Sequence, residues 1–312
     1  MKTILGIGEC MIELSSAGED LWRQGFAGDV FNALWYAQAL AQRKIGVAFY
    51  TSVGTDQISD QLLDFVETAG ISCSDVPRVA GRVPGLYSIH LDGAERSFSY
   101  WRESSAARVM MQYPQQLWAK VAAADLIYFS GITLAILPPE DAAAFLSGLR
   151  SHLKPGALVA FDPNIRPHLW DDAKRMKQVI SDAAALSDIV LPSFDDEKST
   201  FGDATPRDTA LRYQSLGASH IVVKDGENPT LLVDNGEFGS FPVAPISGVV
   251  DTTAAGDSFN GAYLSEVLKG RPLAEAIGAA QRCAAKVVCT KGALVPFDQL
   301  DDLAGQTNIP AV

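Results

Sequence analysis

The stretch Gly248-Val-Val-Asp251-Thr-Thr-Ala-Ala-Gly-Asp257-Ser-Phe-Asn260-Gly concentrates residues able to do chemistry. Ala254, Ala255 and Gly256 are small, and the apolar residues that follow, Phe259, Ala262, Tyr263 and Val267, recur at helical spacing. The small residues are therefore expected to open a helix. The first N–H groups of a helix lack partners within it and carry partial positive charge. Small side chains there let an anion come close, which suits the charge that develops on a transferred phosphoryl group. A carboxylate beside such a site only repels the anion, unless it accepts a proton from an attacking hydroxyl. That makes Asp257 a candidate general base, although Asp also caps helices for purely structural reasons. Asp251, six positions earlier, reads as a structural residue or a cation ligand.

The elements that must hold this segment alternate along the chain. Short apolar runs at Ile4 to Gly8, Lys44 to Val53, Leu126 to Ser130, Ala157 to Asp162, Asp188 to Leu191 and His220 to Lys224 read as strands. Helical patterns lie between most of them; one runs from Asp60 to Ala69 and stops at Gly70. The alternation predicts βαβ units and a mostly parallel sheet covered on both faces. Two stretches break it. Met11 to Gly28 is strand-like and rich in turns. Val83 to Arg102 alternates around the turn Asp92-Gly93, with Tyr87, Ile89 and Leu91 before it and Phe98, Tyr100 and Arg102 after it. This predicts a hairpin in a second, smaller sheet, either a decorative edge or a lid over a site.

Bulk properties narrow the function. The chain has 312 residues, 47% of them hydrophobic, and a net charge of -12, so it can bury a large core. The acidic balance argues against nucleic-acid or anionic-membrane partners but leaves room for one anionic ligand in a local pocket. Cys10, Cys73, Cys283 and Cys289 form no C-x-x-C pair, and the four His are scattered, so a zinc or His-based metal centre is not expected. No signal peptide or apolar run long enough to span a bilayer is read, and a soluble cytoplasmic protein is expected. Gly6-Ile-Gly8 lacks the rest of a dinucleotide fingerprint, no Gly-Lys dipeptide supports a P-loop, and the H-R-D and D-F-G motifs of protein kinases are missing.

Asp251-Thr-Thr-Ala-Ala-Gly-Asp257-Ser-Phe resembles the C-terminal signature of the PfkB, or ribokinase-like, carbohydrate kinases, D-T-T-G-A-G-D-x-F, with Ala254 in place of its first Gly. Other segments agree in order across nearly the whole chain. Ala27-Gly28-Asp29-Val30-Phe31-Asn32-Ala33 stands where the family has G-G-x-x-x-N-x-A, and Val53-Gly54-Thr55-Asp56 matches V-G-x-D. Asp162-Pro163-Asn164-Ile165-Arg166 matches D-x-N-x-R, and Lys224-Asp225-Gly226-Glu227 matches V-K-x-G-x. Asp195-Asp196-Glu197 stands near the N-x-x-E region, with Ser193 where the Asn is usual.

The resemblance implies a single three-layer α/β/α kinase domain over residues 1–312, with a nine-stranded or similar sheet and a discontinuous β lid at approximately 11–28 and 83–102. It implies ATP and Mg²⁺. By that resemblance Asp257 is the base, and the amides of Ala255, Gly256 and Asp257 stabilise the moving phosphoryl group. Asn164, Arg166, Lys224, Gly226, Ala254, Ala255 and Gly256 lie at the nucleotide. Asp251 and Thr253 hold a monovalent cation such as K⁺, and Glu197 reaches magnesium through water.

Substrate choice is read from the hairpin and the Gly28 segment. Tyr100-Trp-Arg102-x-x-Ser-Ala-Ala-Arg108 and Gly28-Asp-Val-Phe-Asn32 resemble the branch of the family that acts on 2-keto-3-deoxygluconate. That resemblance implies transfer of phosphate from ATP to the terminal hydroxyl of 2-dehydro-3-deoxy-D-gluconate, giving the 6-phosphate. Gly28, Asp29, Asn32, Tyr87, Tyr100, Arg102, Arg166 and Asp257 would contact the sugar acid, since Arg grips carboxylates in a two-pronged way. Fructose, 2-keto-3-deoxygalactonate and nucleosides are competing substrates, and a non-catalytic sugar-acid sensor is a competing class. Pairing through the small sheet into a homo-oligomer is also expected, because one of its faces would otherwise be exposed.

Overall fold

A computed structural model of the chain describes residues 1–18, 21–92 and 95–303. The chain opens with β1 (Lys2–Ile7), β2 (Met11–Gly18), β3 (Leu21–Ala27), α1 (Asp29–Ala41), β4 (Ile45–Tyr50) and α2 (Gln57–Thr68). It continues through β5 (Leu86–Asp92), β6 (Glu95–Trp101), α3 (Pro114–Ala123), β7 (Leu126–Ser130), α4 (Gly131–Ile136), α5 (Pro139–His152) and β8 (Leu158–Asp162). The remainder is α6 (Ala173–Ala185), β9 (Ile189–Val190), α7 (Phe194–Phe201), α8 (Pro206–Ser215), β10 (His220–Val223), β11 (Thr230–Asp234), β12 (Glu237–Phe241), α9 (Ala255–Leu268) and α10 (Leu273–Val288).

The main sheet has eight strands in the order β12-β11-β10-β9-β8-β7-β1-β4. Pairing is parallel from β10 to β4, and β11 and β12 join antiparallel at one edge. This matches the expected doubly covered α/β sheet. The antiparallel edge pair escaped the sequence reading because β11 and β12 follow β10 without a helix to announce a new βαβ unit.

Successive strand residues feed opposite faces, as the two-residue period of a strand requires. Ile4, Tyr128 and Ala160 join the core under α1, α9 and α10, whereas Leu5, Phe129 and Phe161 join the core on the other face with Phe145. Phe129, Phe145 and Phe161 are fully buried, and truncating one such ring to Ala costs about 3–5 kcal/mol.

The chain steps outward on both sides of β1, toward β4 in one direction and β7 in the other. In open α/β sheets that reversal leaves a crevice at the carboxyl ends of the strands. Glu9, Ser130, Asp162 and Lys224 all stand at or just past those ends.

The second sheet has four strands in the order β3-β2-β5-β6. It joins the two stretches that broke the alternation. β2 and β3 form one antiparallel pair, β5 and β6 the other, and β2 runs parallel to β5. Tyr87 stands opposite Tyr100 and Ile89 opposite Phe98. At the expected turn, Asp92 ends β5, while Gly93 lies outside the described residues.

Candidate active site

The N-terminus of α9 is built as the sequence suggested, with one strained position. Ala254 precedes the helix at φ 60°, ψ 14°, the left-handed region that favours Gly. The usual family residue at that place therefore has a backbone reason. Gly256 needs no such conformation, and a Cβ there would lie 3.8 Å from Lys224 Nζ, so smallness keeps the approach open.

Two long-range crossings bring the remaining groups to this turn. A Cβ on Gly261 would lie 1.9 Å from the Ala33 carbonyl oxygen, so Gly261 lets α9 cross α1 in direct backbone contact. That crossing places Asn32, one turn into α1, where its Nδ2 donates to Asp257 Oδ2 at 2.8 Å. A Cβ on Gly28 would come within 2.2 Å of the Glu9 carbonyl oxygen; its absence lets α1 begin against the end of β1. By contrast Asp56 caps α2, accepting from Ser59 N at 2.8 Å, so the Val53-Gly-Thr-Asp56 segment serves the scaffold.

Asp257 sits partly buried at the bottom of the crevice. Burial, together with the nearby Asp29 and Asp162 carboxylates, pushes its carboxyl up to about 7, against the opposing pull of the Asn32 hydrogen bond and the Lys224 charge. A base poised near neutrality is matched to taking a proton from an alcohol as its oxygen is attacked. Asp257 is not the N-cap of α9: Ala254 holds that place, and Asp257 lies within the first turn. Asp29 is also raised, chiefly by burial, and its Oδ2 accepts from Asn164 Nδ2 at 2.8 Å.

Two cavities meet at this point. The first, about 380 Å³, is walled by Gly28, Asp29, Asn32, Tyr87, Tyr100, Arg102, Asn164, Arg166, Lys224, Ala254, Ala255, Gly256 and Asp257, and roofed by the four-stranded sheet. The second, about 450 Å³, is lined by Lys224, Gly226, Thr230, Val243, Ile246, Phe259 and Val288 among others. Ser193, Lys224, Thr252, Ala255 and Gly256 belong to both walls. All eight residues expected around the sugar acid thus share one cavity. Asn164, Arg166 and Ala254, expected at the nucleotide, line the first cavity and are absent from the lining of the second; Lys224 and Gly226 do reach the second.

The two arginines differ from the simple picture of free cations. Arg102 is buried and ion-paired with Glu9, whose carboxylate also accepts from Ser105 Oγ. Arg102 Nε is buried with no hydrogen-bond partner. Arg166 pairs with Asp196 at 3.2 Å. Tyr87 donates its hydroxyl to Glu13, so what it turns to the cavity is mainly its ring. Glu9, Met11, Phe98, His168 and Asp162 also line the first cavity. Glu9 had a signal in the sequence, as a charge set directly after an apolar strand; His168 had none, and Asp196 had only its place in Asp195-Asp196-Glu197.

Glu197 is the residue expected to reach magnesium through water. Its carboxylate is fully buried, accepts from Arg212 Nη2 at 2.6 Å and from the Tyr213 hydroxyl at 2.8 Å, and lies between α7 and α8 rather than at either cavity. Burial raises it to about 7. One residue back on α7, Asp196 pairs instead with Arg166, which lines the first cavity, and is close enough to Asp162 for their charges to interact. Asp251 accepts from Thr253 N at 2.9 Å and from Gly292 N at 2.7 Å, clamping the turn before α9 to the loop after α10.

Asp162 and Asp196 are oxygen donors of the kind Mg²⁺ takes, and that ion needs only one or two carboxylates when phosphates supply other ligands. The described residues contain no cluster of three or more His, Cys, Asp or Glu able to hold a metal by themselves.

Two cavities that share a wall at the start of a helix, with the Asp257 carboxylate lining the first of them at the edge of an open α/β sheet, have the form of a small-molecule phosphotransferase site. The chain belongs to the PfkB family of carbohydrate kinases: the profile described as pfkB family carbohydrate kinase matches residues 1–300. It is 37% identical to the 2-dehydro-3-deoxygluconokinase of Haemophilus influenzae, over 99% of this chain and 100% of that one. Among solved structures it resembles a PfkB protein from Polaromonas sp. JS666 (TM-score 0.84, 25% identity, 98% and 100% of the two chains covered). It also shares its fold with a putative ribokinase II from E. coli in complex with ATP and Mg²⁺ (TM-score 0.82, 18% identity, 97% and 99% covered). No helix among the described residues is long and apolar enough to cross a membrane.

Proposed function

We propose that this chain is an ATP-dependent 2-dehydro-3-deoxygluconokinase that phosphorylates the terminal hydroxyl to give the 6-phosphate and ADP. The observation that carries the reading is the shared wall: the sugar cavity and the second cavity touch only around Lys224 and the start of α9, where Asp257 stands.

The sugar acid occupies the first cavity with its terminal hydroxyl at Asp257. Asp257 accepts the hydroxyl proton as the sugar oxygen bonds to the γ-phosphorus. The bond from that phosphorus to its bridging oxygen breaks, and the electron pair leaves on ADP. The N–H groups at the start of α9 and the Lys224 ammonium face the phosphoryl oxygens as charge spreads over them. Asp257 then releases its proton to solvent. The nucleotide occupies the second cavity, against Gly226 and the apolar wall of Val243, Ile246 and Val288. Asp196 and Asp162 would hold Mg²⁺, which when bound would supply positive charge against the phosphates. A monovalent cation at Asp251 and Thr253 would stiffen the same turn.

The acid end is held by Arg102 and Arg166. A buried donor without a partner costs about 1–3 kcal/mol, and a carboxylate oxygen at Arg102 Nε would remove that cost. Because Glu9 and Asp196 already balance the two guanidinium charges, selectivity comes from donor geometry more than from net charge. We further propose that a second copy covers the outer face of the small sheet, where Trp22 and Trp101 are 47% and 60% exposed; a monomer by sedimentation would count against this.

The test is ADP release with Mg-ATP against 2-keto-3-deoxygluconate, 2-keto-3-deoxygalactonate, fructose, ribose and adenosine. Turnover confined to the keto-deoxy acids supports the proposal. Preferred turnover on fructose or ribose discards the substrate, and tight sugar-acid binding with no turnover on any acceptor replaces the kinase by a sensor.

A further inference from the structure

Beneath the wall that the two cavities share, a buried polar network ties α9 to the carboxyl ends of β8 and β10. Asn260 stands one turn beyond Asp257 on α9 and is fully buried. Its Oδ1 accepts from Lys224 Nζ at 2.9 Å, while its Nδ2 donates to Asp162 Oδ2 at 2.6 Å and to the Tyr128 hydroxyl oxygen at 3.1 Å. Lys224 Nζ also reaches Asp162 Oδ2 at 3.3 Å. The neighbours fix the amide's orientation: its oxygen must face the ammonium and its NH₂ the carboxylate.

Lysine carries a compact charge on a flexible four-carbon stem. Left alone beside Asp162 and Asp257, the ammonium would collapse onto one carboxylate and lose its reach. A neutral acceptor holds it without cancelling its charge, which an Asp at position 260 would do. Charge set in place before the reaction stabilises a transition state far better than charge that must reorganise. The donation to Asp162 serves the same end, turning the amide so that its oxygen faces the ammonium.

We propose that Asn260 is a positioning residue for phosphoryl transfer: its side-chain amide fixes the Lys224 ammonium at the point where the phosphoryl group passes between the two cavities. The proposal rests on the kinase reading above but not on which sugar is the acceptor.

The experiment is a double-mutant cycle on the full chain, comparing wild type, Asn260→Ala, Lys224→Met and the double variant for kcat and for both KM values. Asn260→Ala is expected to lower kcat by roughly 10–100-fold while both KM values stay within about 3-fold. In the Lys224→Met background the same substitution is expected to change kcat by less than about 3-fold, because the group it positions is gone. Equal losses in both backgrounds overturn the proposal, as does a loss confined to KM. If Asn260→Ala does not fold, judged by its thermal transition, the cycle is run with Asn260→Ser, to which the same two criteria apply. Rates are taken on whichever acceptor the wild type phosphorylates, so an error in the substrate leaves the cycle readable, and additivity condemns the role of Asn260 while leaving the substrate standing.

Discussion

Asn32 and Asp257 are 225 positions apart in the chain and 2.8 Å apart in the fold. The contact exists because α1 and α9 cross at Gly261 with no side chain between their backbones. A hydrogen bond to the charged form favours ionisation, so Asn32 holds the Asp257 carboxyl lower than burial alone would leave it. Asn32→Ala is expected to move the acid limb of the kcat/KM profile to higher pH. A profile that falls in rate but keeps its midpoint would mean that Asn32 only shapes the sugar cavity.

Asp257 itself couples activity to stability in opposite directions. Its carboxyl holds a proton to about pH 7 in the folded chain, against about 4 for an unfolded Asp. Between those values the folded state binds the extra proton, so this group's contribution to stability falls as pH rises through the window and is flat above it. Asp257→Asn is expected to lower kcat by roughly 10²–10⁴-fold and to raise stability by about 2 kcal/mol at pH 8, less at pH 5. Thermal denaturation at the two pH values checks the second part, and a variant keeping more than about a tenth of the wild-type rate would remove the base from the mechanism.

Ala254 occupies a left-handed conformation at φ 60°, which costs an Ala about 1 kcal/mol relative to Gly. Ala254→Gly is expected to raise the melting temperature by roughly 2 °C with activity retained, since the backbone N–H groups of the turn stay in place. Calorimetry on the two proteins decides this. A lower melting temperature would show that the Ala254 methyl packs usefully enough to offset its backbone strain.

Removing Arg102 has two consequences that must be separated. Arg102→Ala is expected to raise KM for sugar acids much more than for neutral sugars. It also leaves Glu9 buried without its cation, a change that costs about 3–5 kcal/mol. The double variant Glu9→Gln, Arg102→Met is expected to recover most of the stability and none of the sugar-acid affinity. Recovery of both would show that Arg102 acts only by neutralising Glu9.

Asp196 and Glu197 are neighbours on α7 that face different surroundings. Asp196→Asn is expected to raise the Mg²⁺ concentration needed for half-maximal turnover several-fold, with little change in melting temperature. Glu197→Gln is expected to leave the Mg²⁺ requirement unchanged and to lower stability by about 1–3 kcal/mol, because Arg212 and Tyr213 lose a charged acceptor. A magnesium titration of both variants distinguishes them, and the reverse pattern would restore Glu197 as the residue at the metal.

The parts of this protein written in local sequence were legible. Apolar runs separated by helical periods announced the parallel strands, because burial on both sheet faces demands them. Small residues before Asp257 announced the start of α9, because the apolar residues that follow recur at helical spacing. Tyr87, Tyr100 and Arg102 announced a two-faced hairpin, since alternation along a strand fixes which side chains share a face. What the chain alone could not decide was partnership. Whether Asp196 or Glu197 faces the crevice depends on the rotation of α7 against α8; that Arg102 is already spoken for depends on β1 ending beside β6; and Asn260, silent as one polar residue in an apolar helix, acquires its meaning only where Lys224 and Asp162 arrive from other strands. Those are contacts between segments far apart in sequence, set by how helices cross and sheets stack, and no local pattern encodes the distance between two side chains that meet only in the folded molecule.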